Sequence, residues 1–289
     1  MGTSSSSASL YSAEFFQSLR DGSLRSAAIV VPVLIDLIRP RSVVDVGCGT
    51  GGWLSAFHEH GVVDVVGIDG PWTGDAPREM PDAFFREYDL RLPLELGRSF
   101  DLALCLEVAE HLPPEAAEPL VESLTRLAPI VFFSAAIPFQ GGDGHINERW
   151  PSFWSERFAA RGYRCPIDLR SRFWTNGAVE FWYRQNMVCY VADGRSDIFH
   201  RLSSEQSSAP NAPMDAVHPD LYLRLARESD RQKQRADELE LKSQRMRAEL
   251  TQARSELARI KGSMVWRCYQ AVRPAVLAGR RVRSMLRVR

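Results

Sequence analysis

No C-x-x-C pair occurs in this chain: Cys48, Cys105, Cys165, Cys189 and Cys268 are scattered and odd in number. Their spacing excludes a zinc ribbon or a disulfide frame and predicts reduced thiols in a cytoplasmic protein. The opening MGTSSSSASLYSAEFF lacks the basic start and apolar core of a secretory signal. The apolar stretch AAIVVPVLI is interrupted by Pro32 and stopped by Asp36, well short of the ~20 residues that cross a bilayer. The expectation is a cytoplasmic protein, with at most a peripheral hold on the inner face of the membrane. Net charge is also missing, but the zero is a cancellation. Residues 220–289 hold 18 Lys or Arg against 8 Asp or Glu, which leaves the rest acidic by the same margin. Such a split predicts an acidic body with a basic tail that seeks an anionic surface.

What the chain does have is alternation. SVVDVG, VDVVGID, FFREYDL, FDLALCLEV and IVFFSAAI read as strands, with helix-like GWLSAFHEHG and PPEAAEPLVESLTRLA between them. Strand and helix in turn predict an α/β domain whose parallel sheet carries helices on both faces. YRCPIDL and NMVCYVA are two further strand candidates. Residues 1–9 are Ser-rich and expected to be disordered, 10–200 form the domain, and 201–219 are a Ser/Pro/Ala linker. Residues 220–261 then lack glycine and proline altogether. There Leu239, Met246, Leu250, Ala253, Leu257, Ile260 and, just beyond, Met264 follow an a/d seam, which predicts a short self-associating coiled coil. A single solvated helix is the other reading.

The loop VVDVGCGTGGW, residues 43–53, carries chemistry. Gly47, Gly49 and Gly52 satisfy G-x-G-x-x-G, whose glycines let backbone approach a nucleotide cofactor closely. Asp45, two residues ahead, separates two cofactors. A pyrophosphate, as in NAD, seeks a helix N-terminus without a nearby acid. S-adenosylmethionine has no phosphate and presents an ammonium and a sulfonium, which a carboxylate attracts. Asp69 ends the next strand, where an acid can accept ribose hydroxyls, although NAD sites use such an acid too. Asp89, in YDL, closes the third strand near the expected adenine position.

In that order and spacing, VDVGCGTG, VVGID, YDL and FDLALCLEVAEHL resemble the class I S-adenosylmethionine-dependent methyltransferases over residues 24–192. The resemblance implies a Rossmann-like seven-stranded sheet with its last strand antiparallel, a role that NMVCYVA fits. It implies that Asp45, Gly47 and Gly49 line the methionine end, that Asp69 holds the ribose, and that Asp89 and Leu90 hold the adenine. Leu106 and Glu107 would floor the site near the transferable methyl.

The methyl on a sulfonium is already activated, so the protein must align the acceptor, exclude water and, for a hydroxyl, remove a proton. EVAEH offers Glu107, Glu110 and His111 after the fourth strand; GGDGHINE offers His145 and Glu148 after the fifth. His145, Glu110 and His111 are the candidate catalytic groups. The E-x-x-E-H spacing with a later histidine is similar to the metal site of small-RNA 2′-O-methyltransferases and some quinone-pathway enzymes. That likeness implies Glu107, Glu110, His111 and His145 as ligands of a divalent cation such as Mg, Mn, Fe or Zn. The other reading is that the acid and histidine merely cap and orient the next helix. Trp150, Phe153, Trp154, Phe173, Trp174, Phe181 and Trp182 cluster late in the domain, where some would face a sugar or planar acceptor and others the core. Arg170, Arg172 and Arg184 are candidates to meet an anionic acceptor.

Residues 262–289 hold seven arginines and no acid, interleaved with apolar residues. Val265, Tyr269, Val272 and Val276 share one helical stripe, with Pro274 expected to kink it. This pattern predicts a helix lying on an anionic membrane face, with nucleic acid as the disfavoured rival. GSMVWRCYQAVRPA also resembles C-terminal tails of bacterial glycan-assembly proteins, which implies a sugar, glycan or glycolipid acceptor in polysaccharide biosynthesis. Small-molecule or quinone O- or N-methylation is the alternative acceptor chemistry. A non-catalytic coiled-coil scaffold is the alternative class, against which the intact Asp45, Gly47, Gly49 and Asp69 argue.

Overall fold

A computed structural model describes residues 13–71, 77–204 and 215–286. The chain divides into two compact units, Met1–Tyr222 and Leu223–Arg289. The Ser-rich stretch at 1–9 and the middle of the expected linker lie outside the described residues.

In the first unit the alternation becomes a seven-stranded sheet: β1 (Ser42–Val46), β2 (Asp64–Asp69), β3 (Phe85–Glu87), β4 (Leu102–Leu106), β5 (Ile130–Ser134), β6 (Tyr163–Arg164) and β7 (Val188–Ala192). Its order is β3-β2-β1-β4-β5-β7-β6. β1 to β5 pair in parallel, and β7 runs antiparallel to both β5 and β6. Period-two side chains split the strands between two cores. Leu102, Leu104, Ile130 and Phe132 face one core, while Ala103, Cys105, Val131 and Phe133 face the other. β4 and β5 are buried along their whole length, as parallel strands covered on both sides must be.

Helices supply the covers. α1 (Ala13–Ile38) buries Ala27, Val30, Val31 and Leu34 at i, i+3, i+4 and i+7, and α2 (Gly52–Glu59) adds Trp53, Leu54 and Phe57. α1 is one helix despite Pro32, and it ends where Arg39 turns left-handed ahead of Pro40. α3 (Ala117–Leu127) and α4 (Pro151–Ala159) cover the opposite face through Leu120, Val121, Leu124, Trp154 and Phe158. Short helices α5 (Arg170–Phe173) and α6 (Phe181–Asn186) lead into β7, and α7 (Ser196–Ser204) follows it. The chain leaves β1 toward β2 and β3 and returns to β4 on β1's other side. β1 and β4 therefore flank the switch point where open sheets of this kind bind ligands.

Two expectations change. YRCPIDL shrinks to the two-residue β6, because Pro166 has no amide to give a ladder. The linker is shorter than 201–219. α7 extends to Ser204, and around residue 215 the chain is again fixed to the domain. The Ser152 hydroxyl donates to Asp215 at 2.7 Å, and His218 and Leu221 are buried.

α8 (Pro219–Gly262) begins on this unit and forms most of the second. The seam residues Leu239, Met246, Leu250, Leu257 and Ile260 are all exposed on it. At Ser263 the helix breaks and restarts as α9 (Met264–Leu286), with the Ser263 hydroxyl capping the Trp266 amide at 3.2 Å. α9 continues through Pro274 rather than stopping there. Among the described residues no helix is long and apolar enough to cross a membrane.

Candidate functional site

The glycine loop follows β1 and turns because Gly47, Gly49 and Gly51 take positive φ (85°, 55° and 89°). The amides of Gly47 and Cys48 both donate to the Ile68 carbonyl, so the loop is hung from the end of β2. A Cβ at Gly47 would lie 2.2 Å from the Val108 side chain, whereas one at Gly49 would meet nothing within 4 Å. The first glycine thus permits contact with the chain after β4, and the second faces open space where a cofactor backbone approach is possible. Asp69 accepts the Gly49 amide at 2.6 Å and the Gly70 amide at 2.7 Å. A carboxylate is an acceptor suited to ribose hydroxyls, and Asp69 lines a cleft of about 140 Å³ with Pro71, Arg78, Phe85 and Glu87.

Asp45 is only 2 % exposed. Burial first, and the nearby Asp69 carboxylate second, push its pKa up to about 7. A buried acid poised this way gains most from a cation placed beside it, which suits the sulfonium and ammonium of S-adenosylmethionine. Asp89 differs from expectation in its surroundings. Arg91 clasps it with three side-chain bonds, at 2.8, 3.1 and 2.6 Å, and one from the backbone, holding its carboxyl down at about 2. Leu90 beside it is buried.

Across the switch point, Leu106 ends β4 and Glu107 takes a left-handed φ of 55°, a conformation rare for a residue with a side chain and common at functional sites. Asn186 donates to Glu107 Oε1 at 3.1 Å and Gln140 to Oε2 at 3.2 Å. Glu110, in the 3₁₀ turn Ala109–His111, is fully buried. Neither of its carboxylate oxygens has a well-aligned donor, although the Ala136 backbone and the Glu107 carboxyl lie close enough to influence it. Burial, with Glu107 beside it, raises Glu110 well above the usual range; burial raises Glu107 too, against the pull of its Asn186 and Gln140 bonds.

The loop after β5 closes over this turn. The amides of Ile146 and Asn147 donate to the Glu110 carbonyl, and the Asn147 side chain donates to the Ala109 carbonyl. The rings of His111 and His145 meet edge to face at 4.8 Å. One ligand atom each from Glu110, His111 and His145 lies within 4.8 Å of the others. A buried acid with two imidazoles is a plausible donor set for a divalent cation such as Zn, Mn or Fe. Glu107 is not part of this trio, since the two amides hold it. His145 Nδ1 lies 2.9 Å from Glu148 Oε1, so Nδ1–H donating there leaves the Nε2 lone pair to act. Burial, then His145, lowers the pKa of His111 and favours its neutral form. Glu148 also accepts the amides of Phe139 and Gly141, both at 2.8 Å, and so shapes the whole loop.

The structure therefore brings together Asp45, Gly47, Gly49 and Asp69 on one side, and Glu110, His111 and His145 on the other. Two of the three arginines are redirected. Arg170 is buried against Asp168, and Arg184 against Asp220 and the Trp174 carbonyl, so neither is available to an anionic acceptor. Trp154 and Phe173 are core. Phe139 (81 % exposed), Ile146 (61 %) and Trp150 (38 %) are instead the exposed large apolar side chains of the stretch between β5 and α4. Sequence reasoning missed the buried amides Gln140, Gln185 and Asn186, which follow no motif.

No curated protein sequence matches the chain. Among solved structures it is similar to DesVI of Streptomyces venezuelae, with 17% identity, 62% of this chain and 95% of that one covered, and a TM-score of 0.47. It is similar to the sugar N-methyltransferase KedS8 of Streptoalloteichus at 18% identity, with 66% and 98% covered and a TM-score of 0.46. A third is the magnesium protoporphyrin IX methyltransferase ChlM of Synechocystis with bound S-adenosylmethionine, at 21% identity, 63% and 86% covered, and a TM-score of 0.44. The assignment rests on the family model described as "Methyltransferase domain", which matches residues 18–175, more than half of the chain. The chain belongs to this methyltransferase-domain family and is an S-adenosylmethionine-dependent methyltransferase.

Proposed function

We propose that the methyl group goes to a hydroxyl oxygen of a sugar, as part of a glycan or glycolipid. The observation that carries the oxygen assignment is the cluster of Glu110, His111 and His145 across the switch point from the glycine loop. A hydroxyl must lose its proton during transfer, whereas a neutral amine can attack with its lone pair. His145 Nε2, its ring oriented by Glu148, takes that proton, and the exposed Phe139, Ile146 and Trp150 offer apolar surface to the sugar ring. Asp45 and Asp69 hold the cofactor's charged and ribose ends, and Val108 on Gly47 keeps the two halves in register. In a cation-assisted form, Glu110, His111 and His145 Nε2 would instead be ligands of a divalent cation, whose charge would make an acceptor hydroxyl more acidic in place of the base.

The test supplies methyl-labelled S-adenosylmethionine with polysaccharide and lipid-linked oligosaccharide fractions, then hydrolyses the product and analyses its monosaccharides by mass spectrometry. An O-methyl sugar is expected, with yield falling at least ~100-fold in His145→Gln. A methyl group found on nitrogen, or an undiminished His145→Gln, defeats the reading. Adding a chelator and then restoring Mn²⁺ or Zn²⁺ separates the cation-assisted form from unaided base catalysis.

A further inference from the structure

We propose that the first turn of α8 belongs to the catalytic apparatus, and that Gln185 is a positioning residue carrying its docking to the Glu107 carboxylate. The inference rests on the methyltransferase reading and concerns how one of its acids is held.

The root of α8 is fixed with care. His218 precedes the helix, and its Nδ1 accepts the Asp220 amide at 3.1 Å, capping the first turn. With Nδ1 as acceptor, Nε2 carries the proton and donates to the Trp174 carbonyl at 2.7 Å. Arg184 then donates to that same carbonyl at 2.9 Å and to Asp220 at 2.9 Å. Pro219 at the first helical position needs no amide partner.

From this root a directed chain of hydrogen bonds runs inward. The His218 amide donates to Gln185 Oε1 at 2.8 Å. Gln185 Nε2 donates at 3.0 Å to both Gln140 Oε1 and Asn186 Oδ1. Gln140 and Asn186 in turn donate to the two oxygens of Glu107. His218, Gln185, Gln140 and Asn186 are all buried. Each amide accepts from the helix side and donates toward the acid, so flipping one would set like atoms against each other. A fully satisfied network of one polarity is stiff and is disturbed as a unit.

The network ends at the cofactor loop. Glu107 sits in its strained left-handed conformation one residue before Val108, whose side chain rests on Gly47. We place the Glu107 carboxylate against the sulfonium end of the cofactor. Gln185 touches neither cofactor nor acceptor; it acts through Gln140 and Asn186.

S-adenosylmethionine and S-adenosylhomocysteine make the test, because only the first carries the sulfonium charge. Calorimetry on the full chain gives the ratio of their dissociation constants, and general loosening shifts both while leaving the ratio in place. Glu107→Gln and Gln185→Met are each expected to cut the preference for S-adenosylmethionine by about threefold or more. His218→Ala, at the outer end, shifts it the same way, and His218→Asn, which can still cap the helix, restores it. A cooperatively folded Gln185→Met with the wild-type ratio overturns the proposal, as does an unchanged ratio in Glu107→Gln. Should Gln185→Met fail to fold, the His218 pair decides: an unchanged ratio in His218→Ala is equally fatal. Failure of the wild-type chain to bind either ligand defeats the methyltransferase reading instead, a result distinct from a lost preference.

Discussion

The two sides of the switch point are built from different materials. On the β1–β3 side the work is done by main chain: three left-handed glycines, amides hung on Ile68, and two acids at strand ends. On the β4–β5 side it is done by side chains brought from far apart, with Glu107 and Glu110 held near His145, Gln140 and Asn186. A site made of backbone tolerates almost no added atom. A site made of side chains tolerates reshaping until a donor or acceptor is left without its partner. That contrast suits one fixed cofactor facing a variable acceptor.

The sharpest way to break the contrast is to add a single methyl group on the backbone side. Gly47→Ala places a Cβ 2.2 Å from Val108 in a conformation with φ of 85°. Strain and displacement together predict a loss of about 100-fold or more in S-adenosylhomocysteine affinity, with a lower melting temperature. Gly49→Ala meets no protein atom within 4 Å, so it should fold nearly as well and lose about tenfold in affinity through φ strain and obstruction of the cofactor. Calorimetry and thermal melts on the pair check this. Equal effects at the two glycines would show that the loop is a simple turn with no ligand-facing side.

Asp45 makes the next, smaller effect. Its folded pKa of about 7 stands above the ordinary 3.8, so the folded chain holds a proton that the unfolded chain has released. Stability therefore falls as pH rises from about 4 to about 7 and then levels, by roughly 4 kcal/mol over the whole range. A cationic cofactor favours the ionised acid, so binding in mildly acid solution releases a proton. S-adenosylmethionine should bind about fivefold more tightly at pH 7.5 than at pH 6, while Asp45→Asn flattens the trend. Calorimetry in buffers of different ionisation enthalpy counts that proton, and finding none released at pH 6 would remove Asp45 from the cofactor site.

The same contrast explains what could be read in advance. The glycine loop, the strand-end acids Asp45 and Asp69, and the alternation of strands and helices along the chain follow from local rules of φ, period and spacing. They were visible in the sequence, whereas β7 as the antiparallel strand was an expectation drawn from the resemblance to the methyltransferase family. The residues around Glu107 were not. Gln140 lies in a loop, and Gln185 and Asn186 end α6; their role arises only when β7 threads between β5 and β6. Two of the arginines were misread for a related reason. Arg170 and Arg184 look free in a stretch of aromatics, but their partners Asp168 and Asp220 stand 2 and 36 residues away. The linker was drawn too long because a Ser/Pro/Ala composition carries no sign that His218 and Leu221 are buried.

The C-terminal helix provides the gentlest test, since its expected effect on the cofactor site is none. Leu239, Met246, Leu250, Leu257 and Ile260 line one seam of α8 and are all about half exposed. Such a stripe over several turns is what a second copy of the helix would cover. Leu250→Lys with Leu257→Lys places two charges in the seam, both well beyond the docked first turn. Sedimentation velocity should show the wild-type chain self-associated and the double variant monomeric. S-adenosylhomocysteine affinity should stay within about twofold, because the seam and the cofactor loop belong to different units, and independent sites act additively. If affinity collapses with the oligomer, the seam is coupled to the site and the second unit is part of the enzyme rather than its tether. If the wild type is already monomeric, α8 is a solvated helix. Its one structural duty would then be the turn that His218 caps, which concentrates the importance of residues 215–222.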